Sequence, residues 1–194
     1  MCTNHVKPDF TKLQLTKQRL VKVCRLLYRK RLVAGSQGNI SCRVSDVVFL
    51  IKHTGVSFKS IRPENFVLMD NNGRSLTQGE PSIEKFMHLK IYENRPDINF
   101  VIHTHPPQVI KLSRELQGPL KFSSAIGELS VVDYFPPGSL ELADAVAEAL
   151  KDQLRKAVVL KDHGLVTVGS TLKDAYDLTL LVEGTVSNLR REDL

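Results

Sequence analysis

Between residues 11 and 32 the chain reads TKLQLTKQRLVKVCRLLYRKRL, with apolar side chains at Leu13, Leu20, Val23, Cys24 and Leu27. That spacing lies near the 3.6-residue repeat and predicts an amphipathic helix, ended by Gly35 and Gly38. The next apolar runs have a different character. NISCR (39 to 43) and VVFLIK (47 to 52) flank Ser45-Asp46 and predict a hairpin. A strand is expected over 65 to 70, then a turn at Asn71-Asn72-Gly73 and a short strand over 74 to 77. Ser82 has the side chain of an N-cap. It introduces a helix over 83 to 94, with Ile83, Met87 and Ile91 as its apolar stripe and Arg95-Pro96-Asp97 as its stop. A strand over 100 to 105 follows, then a helix from Pro107 to about Arg114 and a strand over 131 to 134. Ser139 caps a helix over 140 to 152. Strands over 157 to 160 and 165 to 168 bracket Lys161-Asp162-His163-Gly164, and a last helix covers 172 to 190. Helices alternate with strands, but several strands sit in hairpins. The pattern predicts an α/β fold with a largely antiparallel or mixed sheet covered by helices, not a doubly wound parallel one.

Composition adds a few bounds. At 194 residues the chain suits one domain, 1–194. A domain of this size buries roughly 70% of the surface its unfolded chain exposes. It needs no disulfide or structural metal to fold, so a bound metal would be functional. Cys2, Cys24 and Cys42 show no ligand spacing and read as reduced thiols of a cytoplasmic protein. No apolar run approaches the ~18 residues of a membrane span, and the first residues lack the apolar core of a signal peptide. The net charge of +6 comes from dispersed basic residues, densest from Arg25 to Arg31 on the first helix. A solvated helix face and general attraction for anionic substrates account for it; specific nucleic-acid binding is not expected.

The sequence INFVIHTHPP (98 to 107) carries the candidate chemistry. Side chains two apart on a strand point the same way, so Val101, His103 and His105 share one face. Imidazoles ~7 Å apart along the backbone can converge on one ion with Zn–N near ~2.0 to 2.1 Å. Two strand histidines alone are as well explained as ordinary residues. His163, at the end of another apolar run, changes the balance. Three histidines at strand ends leave a coordination position open, the pattern of a catalytic metal. His5 lies in the N-terminal segment and His53 beside a turn. His88 follows Glu84 by one turn; it could stand behind the metal ligands, though an ordinary helix residue is the simpler reading.

Several stretches together resemble the class II aldolase/adducin family: GSQGNISCR (35 to 43), HTGVSF (53 to 58), GEPSIEKFMH (79 to 88), RPDINFVIHTHPP (95 to 107) and KDHGLVTVG (161 to 169). They fall in the family's order and spacing, nearest the L-fuculose-1-phosphate aldolase type. The resemblance implies a three-layer α/β/α fold with a central, mostly antiparallel sheet, and a homotetramer with active sites at subunit interfaces. It implies that His103, His105 and His163 bind one divalent ion per subunit, Zn2+ by default, with manganese, cobalt or iron also able to bind three nitrogens. By the same carry-over Glu84 is a further metal ligand and the acid/base, and Gly38, Asn39, Thr54, Gly55 and Ser82 hold the substrate phosphate. Three departures stand out. Ile83 replaces a second serine. Phe122 stands near the position of a proton-donating tyrosine, with Tyr134 as a substitute. The chain ends at Leu194, short of the tail that carries another tyrosine.

The activity this implies is cleavage of a ketose 1-phosphate to dihydroxyacetone phosphate and a small aldehyde, through a metal-stabilised enediolate. A related sugar-phosphate epimerase, dehydratase or decarboxylase would use the same intermediate. A non-catalytic adducin-like module would not need His103, His105, His163 and Glu84 together, and their presence argues against it.

Overall fold

A computed structural model describes residues 10–116, 118–121, 126 and 128–189. Cys2, His5 and Phe122, read above from the sequence, lie outside the described residues.

The first amphipathic pattern forms helix α1, Phe10–Arg29, with Leu13, Leu20, Val23, Cys24 and Leu27 buried as the periodicity requires. It stops earlier than the apolar pattern. Arg31 adopts a left-handed φ of 61°, and the Leu32 N–H returns to the Leu27 carbonyl at 3.1 Å. This C-terminal turn sends Leu32 and Val33 into the core rather than along the helix.

The strands are β1 (Asn39–Ser45), β2 (Val48–Lys52), β3 (Phe66–Asp70), β4 (Phe100–Thr104), β5 (Leu120–Lys121), β6 (Glu128–Val132), β7 (Ala157–Leu160) and β8 (Gly164–Gly169). They form an eight-stranded sheet in the order β3-β2-β1-β4-β8-β7-β6-β5. Every pairing is antiparallel except β6 with β7. Alternation along the central strands splits the core in two. Val101, Val166 and Val168 face helices α2 (Lys85–Asn94) and α4 (Leu140–Ala149). Ile40, Leu50 and Ile102 face α1, while Val159 and Leu165 face α3 (Pro107–Ser113) and α5 (Leu172–Ser187). The result is the expected helix–sheet–helix sandwich.

Local departures have local causes. Residues 74 to 77 do not form a strand beyond an isolated Met69–Ser75 bridge. The Asp70 carboxylate accepts from the Asn72 and Arg74 N–H groups, both at 2.9 Å, and closes a side-chain turn instead. Ser82 is not the N-cap of α2; Glu84 holds that position. The Ser82 N–H is drawn to the Lys52 carbonyl at 3.0 Å, which ties residues 80 to 82 to the end of β2. The strand read at 131 to 134 lies earlier, at Glu128–Val132, in register with β7. Ser139 caps α4 as read, accepting from the Leu142 N–H at 3.1 Å. Among the described residues no helix is long and apolar enough to cross a membrane.

Candidate metal and catalytic site

The site forms where β1, β4 and β8 run side by side. His103 on β4 pairs with Asn39 on β1 and with Val166 on β8. Its ring is fully buried, and Nδ1 lies 3.1 Å from the Leu165 carbonyl. A carbonyl can only accept, so Nδ1 carries the hydrogen and Nε2 keeps its lone pair, the arrangement a metal-ligating histidine needs. His105 lies just beyond the strand, where its N–H donates to the Leu32 carbonyl at 2.8 Å. His163 sits in the tight turn between β7 and β8. Asp162 before it has a left-handed φ of 54°. Ser113 and Arg114 hold Asp162 from α3 and its C-terminal end, through the Ser113 Oγ at 3.0 Å from the Asp162 N–H and a 2.5 Å ion pair with Arg114.

Close backbone approach lets these segments converge. A Cβ on Gly164 would stand 2.2 Å from the Thr104 carbonyl oxygen and 3.2 Å from His103 Cε1. Gly38, at φ 75°, leaves no room either, with Val33 Cγ1 2.6 Å from where a Cβ would be. Glycine at both points is a steric requirement.

The ring centroids of His103, His105 and His163 are 4.7, 4.8 and 5.2 Å apart in pairs. One donor atom from each ring lies within 4.8 Å of the others. His103 Nε2, His163 Nδ1 and Glu84 Oε1 are buried with no hydrogen-bond partner among the described residues. Buried polar atoms want partners, and three converging imidazoles fit a divalent cation. Burial pushes the His103 and His105 pKa values down to about 3, and neighbouring imidazoles push the same way. Burial also lowers that of His163, against the pull of Glu84. All three are neutral imidazoles near pH 7, the form in which a histidine can ligate a metal.

Glu84 closes the site from the start of α2. Its Oε2 lies 3.4 Å from His103 Nε2 and its Oε1 3.4 Å from His163 Nε2. The Asn39 amide donates to Oε2 at 2.7 Å. The carboxylate therefore stands beside the trio, with one oxygen anchored and the other unpartnered.

A cleft of about 500 Å³ opens from this point. Gly38, Asn39, Thr54, Gly55 and Ser82, the residues the resemblance implies for phosphate, line it. The Thr54 and Ser82 backbone N–H groups are already committed to the Glu80 and Lys52 carbonyls. Neither residue therefore has a backbone donor left for a ligand. Ile83 and Tyr134, both exposed, also line the cleft.

Sequence reasoning passed over Lys52. This buried cation lines the cleft, donates to the Ser36 and Val56 carbonyls at 3.0 and 2.7 Å, and lies 5.5 Å from the Phe58 ring centroid. Burial lowers its pKa to about 8. The signal was available: alternation along VVFLIK puts Lys52 in line with Val48 and Leu50, where an apolar residue belongs.

Residues 18–188 match the model for the Class II Aldolase and Adducin N-terminal domain. The chain belongs to this family. It is 40% identical over 168 residues to an L-fuculose phosphate aldolase of Methanococcus maripaludis, a match covering 84% of this chain and 89% of that one. It is also 29% identical over 178 residues to a 3-oxo-tetronate 4-phosphate decarboxylase of Haemophilus influenzae, covering 87% and 84%. Among solved structures it superposes on Escherichia coli YgbL, a candidate aldolase/epimerase/decarboxylase, with a TM-score of 0.83, 25% identity and coverage of 90% and 88%. Family membership indicates an enzyme that uses a divalent metal, and the histidine trio is a candidate site for it.

Proposed function

We propose that the protein is a zinc-dependent lyase that cleaves a ketose 1-phosphate of the L-fuculose type to dihydroxyacetone phosphate and a small aldehyde. The observation that carries this reading is the cluster of three neutral imidazoles facing a buried carboxylate at the base of the cleft. It is supported by the 40% identity to an L-fuculose phosphate aldolase.

His103, His105 and His163, with Glu84, would hold the cation. A divalent cation bound there supplies Lewis acidity toward the ketose carbonyl and the positive charge that an enediolate requires. The chain's own groups do the rest. Glu84 moves a proton to or from the carbon beside the carbonyl, with Asn39 holding its other oxygen. The Lys52 ammonium and the Thr54 and Ser82 hydroxyls, with the backbone at Gly38 and Gly55, receive the phosphate. Tyr134, exposed in the cleft lining, meets the aldehyde portion. Active sites completed by neighbouring subunits of a homotetramer, in the cytoplasm, are part of the same proposal.

The test is a product assay on L-fuculose 1-phosphate and related ketose phosphates, with and without chelator. Dihydroxyacetone phosphate should form, stop with chelator, and resume with added Zn2+. The relative named as a decarboxylase favours a second reading, which predicts CO2 from a 3-oxo sugar-acid phosphate and no cleavage of any ketose phosphate.

A further inference from the structure

Behind Glu84 lies a row of polar side chains that the chemistry above does not use. Ser41, His88 and Tyr92, with Asn39 in front of them, are each 2% exposed or less. Two regular elements bring them together. Asn39 and Ser41 are two apart on β1 and share a face; His88 and Tyr92 are four apart on α2 and share a face. The faces meet, and the contacts run in one line. The Asn39 amide nitrogen donates to Glu84 Oε2 at 2.7 Å. Asn39 Oδ1 bonds to His88 Nε2. His88 Nδ1 lies 2.6 Å from the Ser41 hydroxyl, which lies 2.7 Å from the Tyr92 hydroxyl.

The line has one consistent direction. The carboxylate accepts, so Asn39 turns its N–H toward Glu84 and its oxygen toward His88. His88 Nε2 must then carry the ring's hydrogen. A neutral imidazole has one N–H, so Nδ1 accepts, Ser41 donates to it, and Tyr92 donates to Ser41. Every hydrogen points toward Glu84. A carboxamide in this line does not pass protons on as a hydroxyl or imidazole does, which makes the row an orienting device and not a proton conduit.

We propose that His88, backed by Ser41 and Tyr92, is a positioning residue that locks the Asn39 amide and, through it, aims the Glu84 carboxylate at the histidine trio. The importance of that aim for turnover rests on the role proposed above for Glu84; the hydrogen-bond order does not. Burial lowers the His88 pKa to about 3, consistent with the single N–H the line requires.

Two measurements test this. In the wild-type protein with 15N-labelled histidine, NMR at pH 6 to 8, with and without Zn2+, should show His88 as the Nε2–H tautomer. An Nδ1–H tautomer or an imidazolium would overturn the proposal, whatever the enzyme's substrate. The second measurement compares His88→Gln, whose amide can still donate to Asn39, with His88→Leu, which cannot. For L-fuculose 1-phosphate, kcat in H88L should fall by ~10-fold or more, the scale of a misplaced reactive group. KM should change by less than about 2-fold, the mark of a loss felt after binding, and H88Q should recover most of the rate. Equal kcat in H88L, H88Q and wild type would overturn the proposal. If H88L does not fold, the tautomer measurement decides. If wild type cleaves no ketose phosphate, the aldolase reading fails and the tautomer measurement still decides this one.

Discussion

At Lys52 a cation occupies a strand position where the alternation calls for a core residue. Its ammonium donates to two carbonyls, and the residue lines the cleft. Lys52→Met should raise KM for a phosphorylated ketose by about 10- to 100-fold, the scale of a lost charge-assisted hydrogen bond, with a smaller effect on kcat. Because burial lowers its pKa to about 8, the charge is present below that pH and lost above it. The wild-type KM should therefore rise as pH passes about 8, and in K52M that rise should disappear. The histidines and Glu84 separate by a different measurement, metal content. His105→Ala should lose bound zinc and activity yet remain folded, because the backbone N–H to Leu32 survives the change. Glu84→Gln should keep its zinc and lose about 100-fold in turnover, the usual scale for a missing acid/base. Full metal and turnover in purified H105A would remove His105 from the ligand set.

Elements place these residues by meeting closely. β4 carries His103 between β1 and β8 and leads directly into His105, and the turn into β8 brings the third. That turn closes because position 164 has no side chain. Gly164→Ala should cost about 1 to 3 kcal/mol, as overpacking of a dense site does, and should lower zinc content even in molecules that remain folded. Thermal melts and metal analysis on one preparation check both. The far end of α2 is anchored as firmly as its start. The buried Arg95 guanidinium donates to the Leu150, Asp152 and Arg155 carbonyls and pairs with Asp97 at 2.7 Å. Held at that end and against α4, the helix presents Glu84 and His88 from a fixed axis.

Across the whole molecule, buried neutral histidines make stability depend on pH. His88 and His103 have pKa values pushed by burial from 6.5 to about 3. Below 6.5 the unfolded chain takes up protons that the folded one refuses, so stability falls as pH drops from 6.5 toward 3 and is fully present above that window. Metal-free protein should show a denaturation midpoint that is flat above about pH 7 and declines through the acid window. His88→Gln should make that decline shallower. An equally steep decline in H88Q would remove His88 from the balance.

Most of the element order, the two-faced sheet and the histidine trio were legible in the amino-acid sequence, but β5 was not, and the strand expected over 74 to 77 does not form. Periodicities of 2 and 3.6 residues and the i, i+2 rule operate within a single segment. That is why α1, β4 and the shared face of His103 and His105 could be read directly. Tertiary structure decided what depends on distance between segments. It showed that α1 stops where Leu32 and Val33 turn inward, and that Ser82 is bound to β2 and does not cap α2. It brought the Lys52 cation to the cleft, and it joined His88 to Glu84 through Asn39. Apart from the end of α1, which a local left-handed turn sets, each depends on a contact between segments apart in sequence, and no local pattern specifies which distant donor meets which acceptor.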